Sequence, residues 1–112
     1  MRKLLAITLV FFSGFSVAAG PDCYSWPLNM AEVWLKNKGI VDITQLDRTK
    51  TQIKQLASET KKSGLYTQVY WFVFHDKQGK TYQVITQSDA SDEECSMSDV
   101  NTYLISEMEV NH

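Results

Sequence analysis

Two histidines, two cysteines and one run of carboxylates are the residues of this chain with chemistry to offer. His75 falls at the mouth of a hairpin and His112 is the last residue. Neither stands in a recognisable setting for nucleophilic catalysis, and a terminal imidazole is poorly held. Asp89, Asp92, Glu93, Glu94 and Asp99 form the single acidic cluster. Read as a calcium loop from Asp89, it puts Glu94 where a glycine is needed and Val100 where the bidentate Glu is needed. An irregular calcium site, a solvated acidic turn and a recognition patch for a basic protein are then the remaining readings. Paired carboxylates for glycoside chemistry need a cleft, which a small sheet does not provide. There is no glycine-rich phosphate loop and no basic-aromatic ladder for nucleic acid. These residues imply no cofactor, no metal and no enzyme.

The cysteines have a different task. Cys23 and Cys95 are the only two, so one intramolecular pairing is available. Their separation is far from Cys-x-x-Cys and no histidine lies near either, which disfavours a redox or metal pair. A structural disulfide closing a loop of roughly 70 residues is worth about 4 kcal/mol on the chain-entropy estimate. Such a bond requires an oxidising compartment.

The N-terminus supplies the route there. Arg2 and Lys3 precede an apolar run, Leu4 to Phe12, interrupted only by Thr8. Val17-Ala18-Ala19 then has the small-residue pattern of a cleavage site. The apolar run is short of the ~20 residues of a membrane span, so residues 1–19 read as a cleaved secretory signal. The expected location is the periplasm, with no stable membrane insertion after cleavage. Residues 20–112 are one small domain. Taking Arg2 and Lys3 from 11 basic residues, against 13 acidic, leaves about −4. That balance argues against nucleic acid as a partner.

The elements that position these groups centre on Leu65 to Thr86. Two β-like runs flank Asp76-Lys77-Gln78-Gly79, which reads as a hairpin loop with Gly79 at a positive φ. On the first arm Tyr66, Gln68, Tyr70, Phe72 and Phe74 share one face, and Leu65, Thr67, Val69, Trp71, Val73 and His75 the other. Both faces are apolar, as in a strand covered on both sides. One cover is a helix of the chain itself and the other a partner, so a monomer or a homodimer is open. That helix is expected over Leu28 to Lys38, with Ser25 as N-cap, Pro27 in the first turn and Gly39 as the stop. Met30, Val33, Trp34 and Asn37 would be its inward stripe. Residues 49–62 fit a helix by spacing, but the Thr-rich start and adjoining hairpin favour a strand. The fold expected is α+β: a helix on an antiparallel meander over about 51–60, 65–75 and 80–88. Val100 to Ser106 supplies a fourth strand, with Tyr103 and Ile105 on one face and Leu104 on the other. Ser88 to Ser98 is too rich in Ser and Asp for a strand, although Ser91 and Glu94 have capping-box spacing for one helical turn. Beyond Glu107 the tail is expected to fray.

Trp26 to Asn37 (WPLNMAEVWLKN), Leu56-Ala57-Ser58-Glu59, and Ile85 to Ser98 with its SDAS and ECSMS pieces resemble a group of small exported enterobacterial proteins often encoded beside interbacterial toxin genes. The resemblance spans nearly all of residues 20–112 and implies a periplasmic immunity protein that neutralises a toxin. Proteins of that kind act by occlusion, through aromatic anchors and a charged rim. The expected contact residues are Tyr66, Tyr70, Tyr82, Asp92, Glu93 and Glu94, facing a basic toxin domain. The rival expectation is an envelope or stress component that binds a small ligand or an assembly partner.

Overall fold

The computed structural model describes residues 20–109. Residues 1–19, where a secretory signal is expected, and His112 therefore lie outside the described residues. Helix α1 runs Ser25–Asn37, followed by strands β1 Gln52–Thr60, β2 Leu65–His75, β3 Lys80–Ser91 and β4 Asn101–Glu109. The strands form one antiparallel sheet in the order β1-β2-β3-β4, with α1 packed on one face, an α+β fold.

The Gln52–Thr60 segment is a strand, as its composition favoured. It pairs with β2 from Gln52↔Val73 to Thr60↔Tyr66, with Leu56 bulged out between Gln55 and Ala57. The β2–β3 hairpin is regular from Leu65↔Ser91 to His75↔Thr81. Its loop closes on Asp76, whose Oδ1 accepts the Gln78 and Lys80 N–H groups at 2.9 Å each. Gly79 has φ +91°, a conformation that a side chain would strain. On the far side β4 pairs with β3, and Ile105 is the extra residue between Leu104 and Ser106.

Four expectations need correction. The helix starts at Ser25, not with Ser25 as its cap, and no side chain caps it. Its entry is fixed instead by Cys23, whose sulfur is bonded and whose N–H is held by Tyr70 Oη at 2.8 Å. The inward stripe is Pro27, Ala31 and Leu35, with Trp34 and Leu28 partly buried beside it; Val33 is exposed. Small Ala31 lets the helix approach the rings of β2, and that closeness sets the phase that Met30 and Val33 suggested wrongly. Strand β3 continues to Ser91, because Thr86, Ser88 and Ala90 are small enough to point inward beneath the N-terminal segment. At the other end β4 holds Glu107 to Glu109 in register against β3, where fraying was expected.

The inner face has two halves. Under α1 and the turns at 43–46 lies an apolar cluster of Phe72, Phe74, Tyr82, Val84, Ala31, Leu35 and Leu46. Fully buried rings such as Phe72 and Phe74 each stabilise the fold by roughly 1.5–3 kcal/mol. Toward the other end the face turns polar, and residues 21–23 cover it. Gln68 Nε2 donates to Pro21 O at 2.6 Å and to Ser58 Oγ at 3.0 Å, and Tyr70 Oη donates to Asp22 Oδ1 at 3.0 Å. The opposite face of the sheet has no covering element among the described residues. The expectation of a strand covered on both sides is met on one side only.

Glu32 is the one largely buried carboxylate of α1, 7% exposed, and Arg48 grips it through Nε and Nη2, the closest contact being 2.8 Å. Truncating Arg48 would leave that carboxylate without its cation. Arg48→Ala is therefore expected to lower stability by about 1–3 kcal/mol, read by urea unfolding at unchanged m. Adding Glu32→Met to the same chain should recover most of the loss. A loss below about 0.5 kcal/mol, the size of an exposed pair, would show the contact to be superficial.

Candidate functional site

The residues expected to contact a partner are divided by the fold. Tyr70 is 1% exposed and Tyr82 is 2% exposed, so neither ring is available as a surface anchor. This corrects their assignment. Tyr70 sits where residues 21–23 cross the sheet, and its ring stacks on Phe72 with centroids 5.9 Å apart. Tyr82 is opposite Phe74 at the loop end, where its hydroxyl donates to Asp76 Oδ2 at 3.2 Å. Burial, with Asp76 next to it, raises the Tyr82 hydroxyl above its ordinary range. An alternating strand places both rings on the face beside Phe72 and Phe74, which is why pattern alone suggested a shared aromatic surface. Which face the helix would choose could not be read from that pattern.

Tyr66 and Asp92 do come together. The Tyr66 hydroxyl donates to Asp92 Oδ2 at 3.3 Å, and the negative charge of Asp92 raises the hydroxyl's pKa. Gly20 lies flat against the same ring. A Cβ there would fall 2.7 Å from the ring carbon Cγ, so only glycine fits. Asp92, Glu93 and Glu94 are all exposed on the loop that follows β3.

That loop is held at several points. The Glu94 N–H donates to Ser91 Oγ at 3.0 Å, and Ser91 N–H donates to Glu94 O at 2.8 Å. The capping spacing thus closes a turn, not a helical one. Cys95 is bonded to Cys23 across 72 positions of sequence. Met97 N–H reaches Asp89 O, Asp89 N–H reaches Ser98 Oγ, and Trp26 Nε1 donates to Ser98 O at 3.3 Å. Ser96 Oγ donates to Glu94 Oε2. Among the described residues no Lys or Arg pairs with Asp92, Glu93 or Glu94. Beside them runs an open groove of about 360 Å³, lined by Gly64, Leu65, Ser91, Asp92, Glu93 and Met97. Met97 is an exposed apolar side chain that sequence reasoning passed over. Only its closeness to a charge run could have drawn notice.

Asp89 belongs elsewhere. It turns to Lys61 Nζ at 2.9 Å and Thr67 Oγ1 at 2.9 Å, and these contacts hold its carboxyl below the usual range. The acidic run is therefore split: Asp89 is ion-paired, Asp99 lines a groove beside it with Lys61 and Asn101, and Asp92, Glu93 and Glu94 have no cation partner among the described residues. His75 lines an open depression of about 500 Å³ with Asp47, Lys50, Asp76 and Lys77, and lies 3.3 Å from Gln52 Oε1. Among the described residues no three or more His, Cys, Asp or Glu converge as metal ligands, and no helix is long and apolar enough to cross a membrane. No known family model, curated protein or solved structure matches the chain.

Proposed function

We propose that this chain is an exported binding protein that neutralises a basic toxin or effector domain by covering it, with the loop Asp92 to Met97 and Tyr66 as the contact surface. The observation that carries the reading is the loop's construction. Three carboxylates without cation partners stand on a segment pinned by a disulfide and by backbone bonds at both ends. Like charges this close repel one another, so a fold gains nothing internally from holding them rigid. A rigid loop loses little conformational entropy on binding, and complementary charge speeds encounter with a basic surface. Tyr66 and Met97 supply apolar contact next to the charge. The disulfide is in keeping with an oxidising compartment, as export would provide.

The test is co-expression, in the envelope of a sensitive strain, with each basic toxin domain that the strain of origin encodes. Growth should be restored by the native chain. The triple change Asp92→Lys, Glu93→Lys, Glu94→Lys should abolish rescue and weaken binding at least tenfold, with stability altered by under about 0.5 kcal/mol. Rescue that survives the triple change would remove this loop from the interface; no rescue by the native chain would remove the function.

A further inference from the structure

We propose that the uncovered face of the sheet is a self-association surface, on which two copies of this chain pack sheet to sheet. The face carries Val69 and Trp71 of β2, Ile85 of β3, and Tyr103 and Ile105 of β4, with Val73 of β2 already buried among its neighbours. Tyr103 is 52% exposed and Ile105 54%, among side chains that elsewhere in this fold form the core. A contiguous apolar patch of this kind is uncommon on a monomer's surface.

Three observations select a second copy as the occupant. The first is charge. The chain as a whole is acidic, with 13 Asp and Glu against 11 Lys and Arg, yet the strand residues of this face, with Lys61 beside them, are balanced. Asp89 is neutralised by Lys61 at 2.9 Å, the other two strand charges are Lys54 and Glu59, both on β1, and Asp99 stands at the margin of the face near Lys61. Opposite charges on one strand of one face are self-complementary: a two-fold axis can set Lys54 of one copy against Glu59 of the other, and the reverse. A face built for a basic partner would carry an excess of one sign instead.

The second is hydrogen bonding. Trp71 Nε1 already donates to Gln83 Oε1 at 3.0 Å, so drying the face leaves that donor satisfied. The third is area. Four strands about 4.8 Å apart, nine residues long at about 3.3 Å each, offer roughly 19 by 30 Å. That is about 600 Å² before side-chain relief, comparable with the ~800 Å² per partner of a stable interface. Sheets packed in this way sit about 10 Å apart with their inner side chains interleaved, as in a sandwich.

The experiment is sedimentation equilibrium of the oxidised protein, expressed with its own N-terminal segment, over roughly 5 to 200 µM. A dimer with a dissociation constant in the micromolar range or tighter is expected. Tyr103→Lys with Ile105→Lys, both at positions more than half exposed, should raise that constant at least ~50-fold while the far-ultraviolet dichroism is kept. A charge exchange gives a second reading that separates interface loss from simple destabilisation. Lys54→Glu and Glu59→Lys should each weaken the dimer severalfold, and the two together should restore most of it. A monomer throughout the concentration range overturns the proposal, as does a dimer whose constant moves less than about threefold in both variant sets. A monomer that instead co-sediments with phosphatidylethanolamine–phosphatidylglycerol vesicles also overturns it, and gives the face to lipid.

Discussion

Replacing Cys23 and Cys95 together by alanine is expected to lower the stability of the oxidised protein by about 4 kcal/mol. The bond spans 72 positions, which is most of the described chain, so its removal frees the unfolded state more than a short-range bridge would. For a domain of this size, that is a large share of a net stability of about 5–15 kcal/mol. The folded state also loses a joint. Cys23 leads into α1, and Cys95 anchors the loop carrying Asp92, Glu93 and Glu94. The entry to α1 keeps the bond from Cys23 N–H to Tyr70, whereas the loop keeps Ser91 and the Tyr66–Asp92 contact on one side and Met97 and Ser98 on the other. Urea unfolding of the native and double-alanine proteins measures the loss directly. A difference under about 1.5 kcal/mol would mean that the unfolded chain is already compact between the two cysteines.

The second large effect is at Tyr70. Tyr70→Ala is expected to cost about 3–5 kcal/mol, as for any large buried ring. Tyr70→Phe keeps the stack on Phe72 and removes only the hydroxyl, yet it should still cost about 1–3 kcal/mol. That oxygen accepts from Cys23 N–H at 2.8 Å and from Gln55 Nε2 at 2.9 Å while donating to Asp22. Three groups, on the 22–23 segment and on β1, lose their common partner at once. Burial pushes the hydroxyl up to about 12, against 10.0 in an unfolded chain. The unfolded tyrosine ionises first, so the contribution is whole below pH 10 and is lost as pH rises from 10 towards 12. The decline attributable to this group is about 2–3 kcal/mol. Tyr70→Phe should flatten that part of the alkaline limb in pH-dependent urea melts. An unaltered alkaline limb would show that the hydroxyl titrates freely in the fold.

Much of this fold was legible before any coordinates. The Asp76 to Gly79 loop, the strand over residues 52–60 and the pairing of the two cysteines each follow from a local signal: a turn residue, β-branched composition, or a count of two. The hidden features depended on what one element does to another. Leu28, Met30, Val33, Trp34 and Leu35 are spread widely enough around α1 that several faces look apolar. The ring-bearing surface of β2 selects the one with Ala31. Ser88 looks like a loop residue, and it becomes strand because it points inward opposite Gln68, where residues 21–23 offer a polar roof. The same reasoning explains the candidate site. Charge identified Asp92, Glu93 and Glu94, and proximity through the hairpin register brought Tyr66 to them. Tyr70 and Tyr82 carry an identical sequence signal but lie beneath cover, which only the third dimension supplies.

The bulges at Leu56 and Ile105 have a consequence for how the protein behaves when concentrated. Each lies on an outermost strand of the sheet, and each interrupts the row of backbone donors and acceptors that an incoming strand would need. A four-stranded meander with two straight rims could lengthen indefinitely by accretion, and fibrils begin in that way. Kinked at both rims, this one is poorly suited to grow sideways, even with apolar side chains in the open. Deleting either bulged residue would straighten a rim, and fibril seeding, not loss of fold, would be the first symptom.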